Sequence, residues 1–218
     1  MLPNREIPII GIYSPYAGAG KSTVANRLNT RFGFARLKMA GPLKDMLRQY
    51  LASQGVPLTT IEEMIEGKLK NEPSDLLAGK SARYAMQTIG TEWGRDCMGI
   101  DFWCNAAKTQ ILKATENGLS VVVDDVRFPN EAQMIRDIGG YMVRVRRPDM
   151  EVAVTAPWYK TILSKGHRSE GGLDKWSFDL EITNRYTDAS EFAVNAANEI
   201  INLVHSGKSE RAPPFIGR

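Results

Sequence analysis

The residues that promise the most chemistry are Ala17-Gly18-Ala19-Gly20-Lys21-Ser22-Thr23. Glycines at this spacing let consecutive backbone N–H groups turn inward around one anion. A helix opening at Lys21 adds the partial positive charge of its N-terminus. The lysine can reach the β- and γ-phosphates of a nucleotide, and the Ser22 hydroxyl can ligate a divalent cation. A glycine-rich turn alone says little, but Gly-Lys-Ser-Thr between an apolar strand and a helix is specific to polyphosphate binding. The full pattern opens on glycine where this chain has Pro15. Proline fixes φ and lacks an N–H, so the departure concerns the mouth of the loop and leaves Gly18–Thr23 intact.

A second acidic element is Val121-Val122-Val123-Asp124-Asp125. A buried strand that ends in aspartate beside such a loop orders a metal ion or its waters. Strand alternation puts Val121, Val123 and Asp125 on one face and Val122 and Asp124 on the other. Only one carboxylate need face the loop: Asp125 is the expected partner of Ser22 at the metal, with Asp124 as the alternative. A third element is cationic: Arg144, Arg146, Arg147, Lys160, Lys165 and Arg168, set against Asp149 and Glu151. Cations are required where two phosphate-bearing molecules meet and the transition state is anionic. In a Pro- and Gly-rich stretch they suit a mobile basic lid that closes and expels water. When the acceptor is itself a phosphate, ionised near neutrality with a second pKa of about 6, no general base is needed. A chain with two distant histidines and no nucleophile–base pair fits that case.

These groups must be held by regular elements. Ile7–Tyr13, Phe34–Met39, Leu119–Asp125, Tyr141–Val145 and Asp179–Ile182 read as strands. Helices are expected from Lys21 to about Arg31, burying Val24, Leu28 and Phe32, and from Gly41-Pro42 onward, with Leu43, Met46, Leu47, Tyr50 and Leu51 on one face. Further helices are expected over 81–96, 101–117 (closed by Gly118), 130–138 and 189–204. Residues 66–80 read as irregular. Strands alternating with helices predict an α/β fold with a central parallel sheet and helices on both faces. No linker divides the chain, so one domain is expected over 1–205, with a lid insert at about 146–175 and a flexible tail over 206–218.

Length and composition bound the rest. The 218 residues suffice for a substantial core, and 43% hydrophobic with 24% charged is an ordinary globular balance. The net charge of +3 is too small to argue for a nucleic-acid partner. Cys97 and Cys104 are too few for a disulfide scaffold and have no metal-ligand spacing with His167 and His205. No apolar run approaches the roughly 18 residues of a membrane helix, which predicts a cytoplasmic protein. Thr183-Asn184-Arg185 does not supply the guanine motif of switch GTPases, and the chain is short for a motor. A small-molecule kinase is what remains.

At this point ordered blocks resemble the bacteriophage deoxynucleoside monophosphate kinases, a branch of the P-loop nucleoside monophosphate kinases. The blocks are Gly20-Lys21; Ala40 to Asp45; Arg83 with Met86-Gln87 and Gly90-Thr91; Trp103; Asp125-Val126-Arg127; Arg147-Pro148; His167 with Glu170 and Gly172-Leu173; and Asp179-Leu180 with Ile182-Thr183-Asn184. The resemblance implies the three-layer fold of those kinases. It also implies ATP- and Mg²⁺-dependent conversion of deoxynucleoside monophosphates to diphosphates for phage DNA precursor synthesis, in the infected host cell. Carried over by position, Gly18, Ala19, Gly20, Lys21, Ser22 and Thr23 hold ATP phosphates and magnesium. Lys38, Leu43 and Lys44 line the monophosphate site, and Arg83 binds its phosphate. Gln87, Gly90, Thr91 and Trp103 lie near base or sugar. Asp125 and Arg127 sit between the substrates, and Arg147, Arg168, His167 and Glu170 close over them. Residue chemistry agrees in part: Arg83 and Gln87 are one helical turn apart, arginine suits bidentate phosphate contact, and Trp103 suits stacking. Trp93 reads as core, and Arg95 as a further site candidate with less support. Ala17 stands where some relatives carry a basic residue, which leaves Lys38, Lys44 or Arg127 to supply that charge. Relatives also imply a homodimer. The alternatives are a P-loop kinase for a coenzyme precursor, or a nucleotide-dependent protein whose Lys208, Arg211 and Arg218 touch nucleic acid.

Overall fold

The computed structural model describes residues 7–16, 18–149, 172–185 and 188–207. In chain order, β1 (Ile9–Tyr13) leads to α1 (Lys21–Phe32), β2 (Ala35–Leu37), α2 (Gly41–Ser53) and α3 (Leu58–Ile65). Short strands β3 (Pro73–Ser74) and β4 (Lys80–Ser81) form an antiparallel pair. Then come α4 (Ala82–Thr88), a π-helix (Ile89–Cys97) and α5 (Phe102–Glu116). The chain continues with β5 (Val121–Val123), α6 (Pro129–Asp137), β6 (Tyr141–Arg146), β7 (Leu180–Thr183) and α7 (Ala189–Ser206). The proposed lid residues 150–171, with Lys160, Lys165, His167, Arg168 and Glu170, and the tail residues 208–218 lie outside the described residues.

The chain divides into two compact units, one of Met1–Lys38 with Lys108–Arg218 and one of Met39–Ala107. No linker-like composition marks either boundary in the sequence. The first unit is built on a five-stranded sheet in the order β2-β5-β1-β6-β7. Every neighbouring pair is parallel, with Ile10 opposite Val122 and Tyr141, and Arg36 opposite Val122. A parallel sheet is covered on both faces, so its strands read as unbroken apolar runs. All five residues of β1 and all three of β5 are buried.

On one face Ile10, Ile12, Val122 and Val143 pack with Val24 and Leu28 of α1 and Phe192, Ala196 and Ile200 of α7. On the other, Ile135 of α6 lies over Gly11, where a Cβ would stand 3.4 Å from it and 2.6 Å from Met142 Sδ. Phe32 departs from expectation: it is 37% exposed, because α1 ends there and turns at Gly33 before another turn can cover it.

In the second unit Leu43, Leu47 and Leu51 of α2 pack with Ile61 and Ile65 of α3 and with Ala82 and Met86 of α4. Met46 and Tyr50, expected on the same face, flank it and are exposed. The i, i+4 row alone meets the neighbouring helices. Within 66–80, expected irregular, lie only short 3₁₀ turns and the β3–β4 pair.

Parallel strands present their C-terminal ends along one edge, where open α/β sheets bind ligands. Ser14–Tyr16 and Gly18–Gly20 after β1, Asp124–Arg127 after β5, Arg147 after β6 and Asn184 after β7 therefore share that edge. Leu28 is fully buried beneath it. Leu28→Ala is expected to cost about 2–5 kcal/mol, read as a lower urea midpoint; an unchanged midpoint would contradict the packing described.

Candidate active site

The loop after β1 depends on backbone freedom at Gly18 and Gly20, with φ of 79° and 108°. At Gly20 a Cβ would also stand 2.5 Å from the Phe192 ring, so glycine is required by conformation and by space. Two distant side chains fasten the loop. Asn184 Nδ2 donates to the Ala19 carbonyl at 3.0 Å in a buried bond, and Arg147 Nη1 donates to the Gly18 carbonyl at 3.0 Å. Arg147 also bridges to Asp149 at 3.2 Å. Arg147 was read from the sequence as a catalytic cation; Asn184 was noted only within a resemblance block.

The Lys21 ammonium donates to the carbonyls of Tyr16 at 3.1 Å and Ser14 at 3.4 Å, the residues that flank Pro15. The mouth is further held by the Tyr16 N–H, which donates to Ser14 Oγ at 3.3 Å. The proline thus sits where the chain presents carbonyls to the lysine. Burial, with the nearby charge of Arg127, lowers the Lys21 pKa to about 8, against the opposing pull of Asp124 and Asp125.

Asp124 is 3% exposed at the end of β5. It accepts from Ser22 Oγ at 2.9 Å, from Arg36 Nη2 at 2.5 Å and from Arg36 Nε at 3.3 Å. Burial opposes its charge, but the Arg36 hydrogen bonds, the charges of Lys38 and Arg36 and the Ser22 hydroxyl together hold its pKa below the ordinary value. The carboxylate that meets Ser22 is therefore the sequence alternative, Asp124. Asp125 lies close enough to act electrostatically on Lys21. The donor set of alcohol and carboxylate is all oxygen, which suits a hard cation such as Mg²⁺. Among the described residues no group of three or more His, Cys, Asp or Glu forms a protein-only metal cage.

Arg36 was missed by the sequence reading. Its signal is an arginine inside a strand: Arg36 pairs with Val122, and Val122 and Asp124 share a face. Register between β2 and β5 is needed to connect them, and register is not written in either strand alone. Arg127 starts the turn into α6, where its N–H and that of Phe128 donate to Glu131 Oε2 at 2.7 and 3.2 Å.

The second unit carries the remaining described candidates. Arg83 and Gln87 are exposed on α4, one turn apart, while Ala82 and Met86 point into the core. Lys44 is nearly buried and its ammonium pairs with Glu66 at 2.5 Å. Leu43 is buried, and a Cβ at Gly90 would touch its Cδ2 at 3.4 Å. Thr91 is half-buried in the π-helix.

The burial of the two tryptophans is the reverse of that expected. Trp103 is 3% exposed, its indole N–H donates to the Gly90 carbonyl at 2.9 Å, and Phe102 packs on it edge-on at 4.9 Å. A Cβ at Gly94 would fall 2.1 Å from its Nε1. No ring face remains for a base, so Trp103 is core, contrary to expectation. Trp93, expected in the core, is 38% exposed.

The pattern of the deoxynucleotide monophosphate kinases matches residues 59–185, more than half of the chain. The chain belongs to this family. It is a nucleotide kinase by that membership. The chain is 28% identical over 154 residues to a protein of Acanthamoeba polyphaga mimivirus described as a candidate deoxynucleotide monophosphate kinase, covering 64% of this chain and 75% of that one. It is 25% identical over 118 residues to the deoxynucleoside-5'-monophosphate kinase of Escherichia phage T5, covering 54% of this chain and 45% of that one. In fold it is similar to TT1252 from Thermus thermophilus, with a TM-score of 0.50, 15% identity, and coverage of 94% of this chain and 100% of that one. Among the described residues no helix is long and apolar enough to cross a membrane.

The lowered pKa of Lys21 has a consequence for stability. Between about 8 in the folded chain and about 10.4 unfolded, the unfolded state holds the extra proton. Lys21 thus destabilises the folded protein below pH 8, and that penalty fades as pH rises. Lys21→Met is expected to be more stable than the parent at pH 7, with the gap closing by pH 10.5 in thermal melts. A pH-independent gap would show that the lysine titrates normally.

Proposed function

We propose that the protein transfers the γ-phosphoryl group of ATP to a deoxynucleoside monophosphate, giving the diphosphate and ADP. The observation that carries this is the Lys21–Ser22–Asp124 arrangement at the head of the parallel sheet, in a chain whose family pattern is that of deoxynucleotide monophosphate kinases. The N–H groups of Gly18–Thr23 cradle the phosphates. Lys21 gains counter-charge from them and follows the charge that builds on the transferred group. Arg127 and Arg147 add cations at the same edge. Ser22 and Asp124 would hold Mg²⁺, with Asp125 as a further carboxylate, and the ion supplies charge neutralisation across the phosphates. Arg83 takes the acceptor phosphate, while Gln87, Gly90 and Thr91 lie along the acceptor nucleoside. Lys38 and Lys44 serve the acceptor site.

We read the whole as one kinase domain over 1–205 with a tail over 206–218. The insert at about 146–175 serves as a lid, to which Arg168, His167 and Glu170 belong. The physiological setting we propose is the cytoplasm of an infected cell, with deoxynucleoside monophosphates as partners, no membrane or nucleic acid, and a homodimeric state.

The test is ADP release coupled to NADH oxidation, with ATP, Mg²⁺ and each of the four deoxynucleoside monophosphates in turn. Turnover is expected with at least one, and absence of ADP release with all four would refute the proposal. Lys21→Ala is expected to lower kcat by at least 100-fold, the scale of losing one charge-stabilising group, with the circular dichroism melt retained. Arg83→Ala is expected to raise KM for the monophosphate about 10- to 100-fold, as for a charged hydrogen bond worth about 1.5–3 kcal/mol, with little effect on KM for ATP.

A further inference from the structure

Across the junction from α4 into the π-helix, the positions that face the core recur every four residues. Ala82 is fully buried and Met86 is 8% exposed. A Cβ at Gly90 would touch Leu43, and one at Gly94 would collide with Trp103. An α-helix has 3.6 residues per turn, so a row spaced by four rotates steadily around it. The row 82-86-90-94 stays against the core because the helix widens after Thr88. Met98 N–H donates to the Trp93 carbonyl at 3.0 Å, a bond five residues back. Such a turn holds more residues than an α turn and cancels the drift.

The row one residue further on must then stay together as well. It consists of Arg83, Gln87, Thr91 and Arg95, the first two exposed and the last two half-buried. Without the π-helix, Arg95 would swing away from Arg83. With it, the two arginines stand at the ends of one row of helix positions, with Gln87 and Thr91 between them. At the α-helical rise of about 1.5 Å per residue the row is on the order of 18 Å long, too long for a single phosphate.

We propose that Arg95 is a further specificity-determining residue, reading the base of the acceptor nucleotide at the far end of the row whose near end, Arg83, takes the phosphate. This rests on the kinase reading above. The planar fork of arginine matches a pair of adjacent acceptors, the O6 and N7 edge of guanine. Adenine and thymine offer no such pair, and cytosine offers one only through O2 and N3, on the edge nearest the sugar, so the far end of the row selects guanine. The π-helix is thus the device that aligns base recognition with phosphate recognition, and Gly90 and Gly94 are what permit it to lie so close to its core.

The experiment compares steady-state kinetics of the full-length protein, Arg95→Ala and Arg95→Lys on dGMP, dAMP, dCMP and dTMP, with Glu92→Gln as a control on another row of the same helix. Expected is a 10- to 100-fold rise in KM for dGMP in both Arg95 variants, with kcat and the pyrimidine KM values changed less than threefold and Glu92→Gln like the parent. Lysine does not rescue, because it lacks the fork. A loss equal for all four bases, or none for dGMP, would overturn the assignment. If the parent enzyme phosphorylates no deoxynucleotide, the kinase reading itself fails, which is a separate outcome. Should Arg95→Ala melt early, Arg95→Lys and the ratio among bases within one preparation still decide, since a folding defect lowers all four rates alike.

Discussion

A carboxylate buried at the end of a central strand must be answered by charge and hydrogen bonds, or it will not ionise. Asp124 is answered by the Arg36 guanidinium and the Ser22 hydroxyl. Those contacts draw together the end of β5, the edge strand β2 and the first turn of α1. Removing Arg36 would leave a buried carboxylate answered only by the Ser22 hydroxyl and the charge of Lys38, and removing Asp124 would leave a partly buried arginine held by Asn26 at 2.5 Å. Neither residue is replaceable alone. The phosphate loop rests on this three-way joint, because Ser22 is both a member of the joint and the second residue of α1.

Around that joint the chain arranges charge asymmetrically. Asp124 is held ionised by surrounding cations, while Lys21 is pressed toward neutrality by burial and by Arg127. The loop thus sets a buried lysine beside a fixed anion. That combination suits a polyphosphate accompanied by a hard cation, and it gives the small net charge of +3 a local meaning that composition does not reveal. The second unit uses a different device. There Lys44 is satisfied by Glu66 and Arg48 by Glu62 and Asp45, while Arg83 on α4 is exposed.

Much of this was legible in the sequence. The five main strands and the helix after the loop follow from apolar runs and from Gly-Lys-Ser-Thr, because a parallel sheet buried on both faces leaves a strong local signature. The identity of the carboxylate at Ser22 was half legible: alternation separated Asp124 from Asp125 but could not say which face met α1. Arg36 was hidden because cross-strand register is a tertiary property. The tryptophans were misassigned because aromatic content does not distinguish a stacking platform from a wedge; Gly90 and Gly94, which let Trp103 press against the helix backbone, were the available clue. The π-helix has no composition of its own and was read as a plain helix. It becomes visible only through the four-residue row of small and buried positions.

The loop that begins the nucleotide site is completed from the other end of the chain. Asn184, 165 residues after Ala19, supplies a buried bond to it, and the Phe192 ring occupies the space a side chain at Gly20 would need. A nascent chain emerging from the ribosome therefore carries its earliest motif in an unfinished shape for most of its synthesis. Strand β1 also waits for β5 and β6 on either side. Until β7 and α7 dock, the loop lacks the Asn184 bond and the Phe192 ring that hold its shape. An interrupted product that stops short of them would hold the whole glycine-lysine motif and yet have no finished place to put a phosphate.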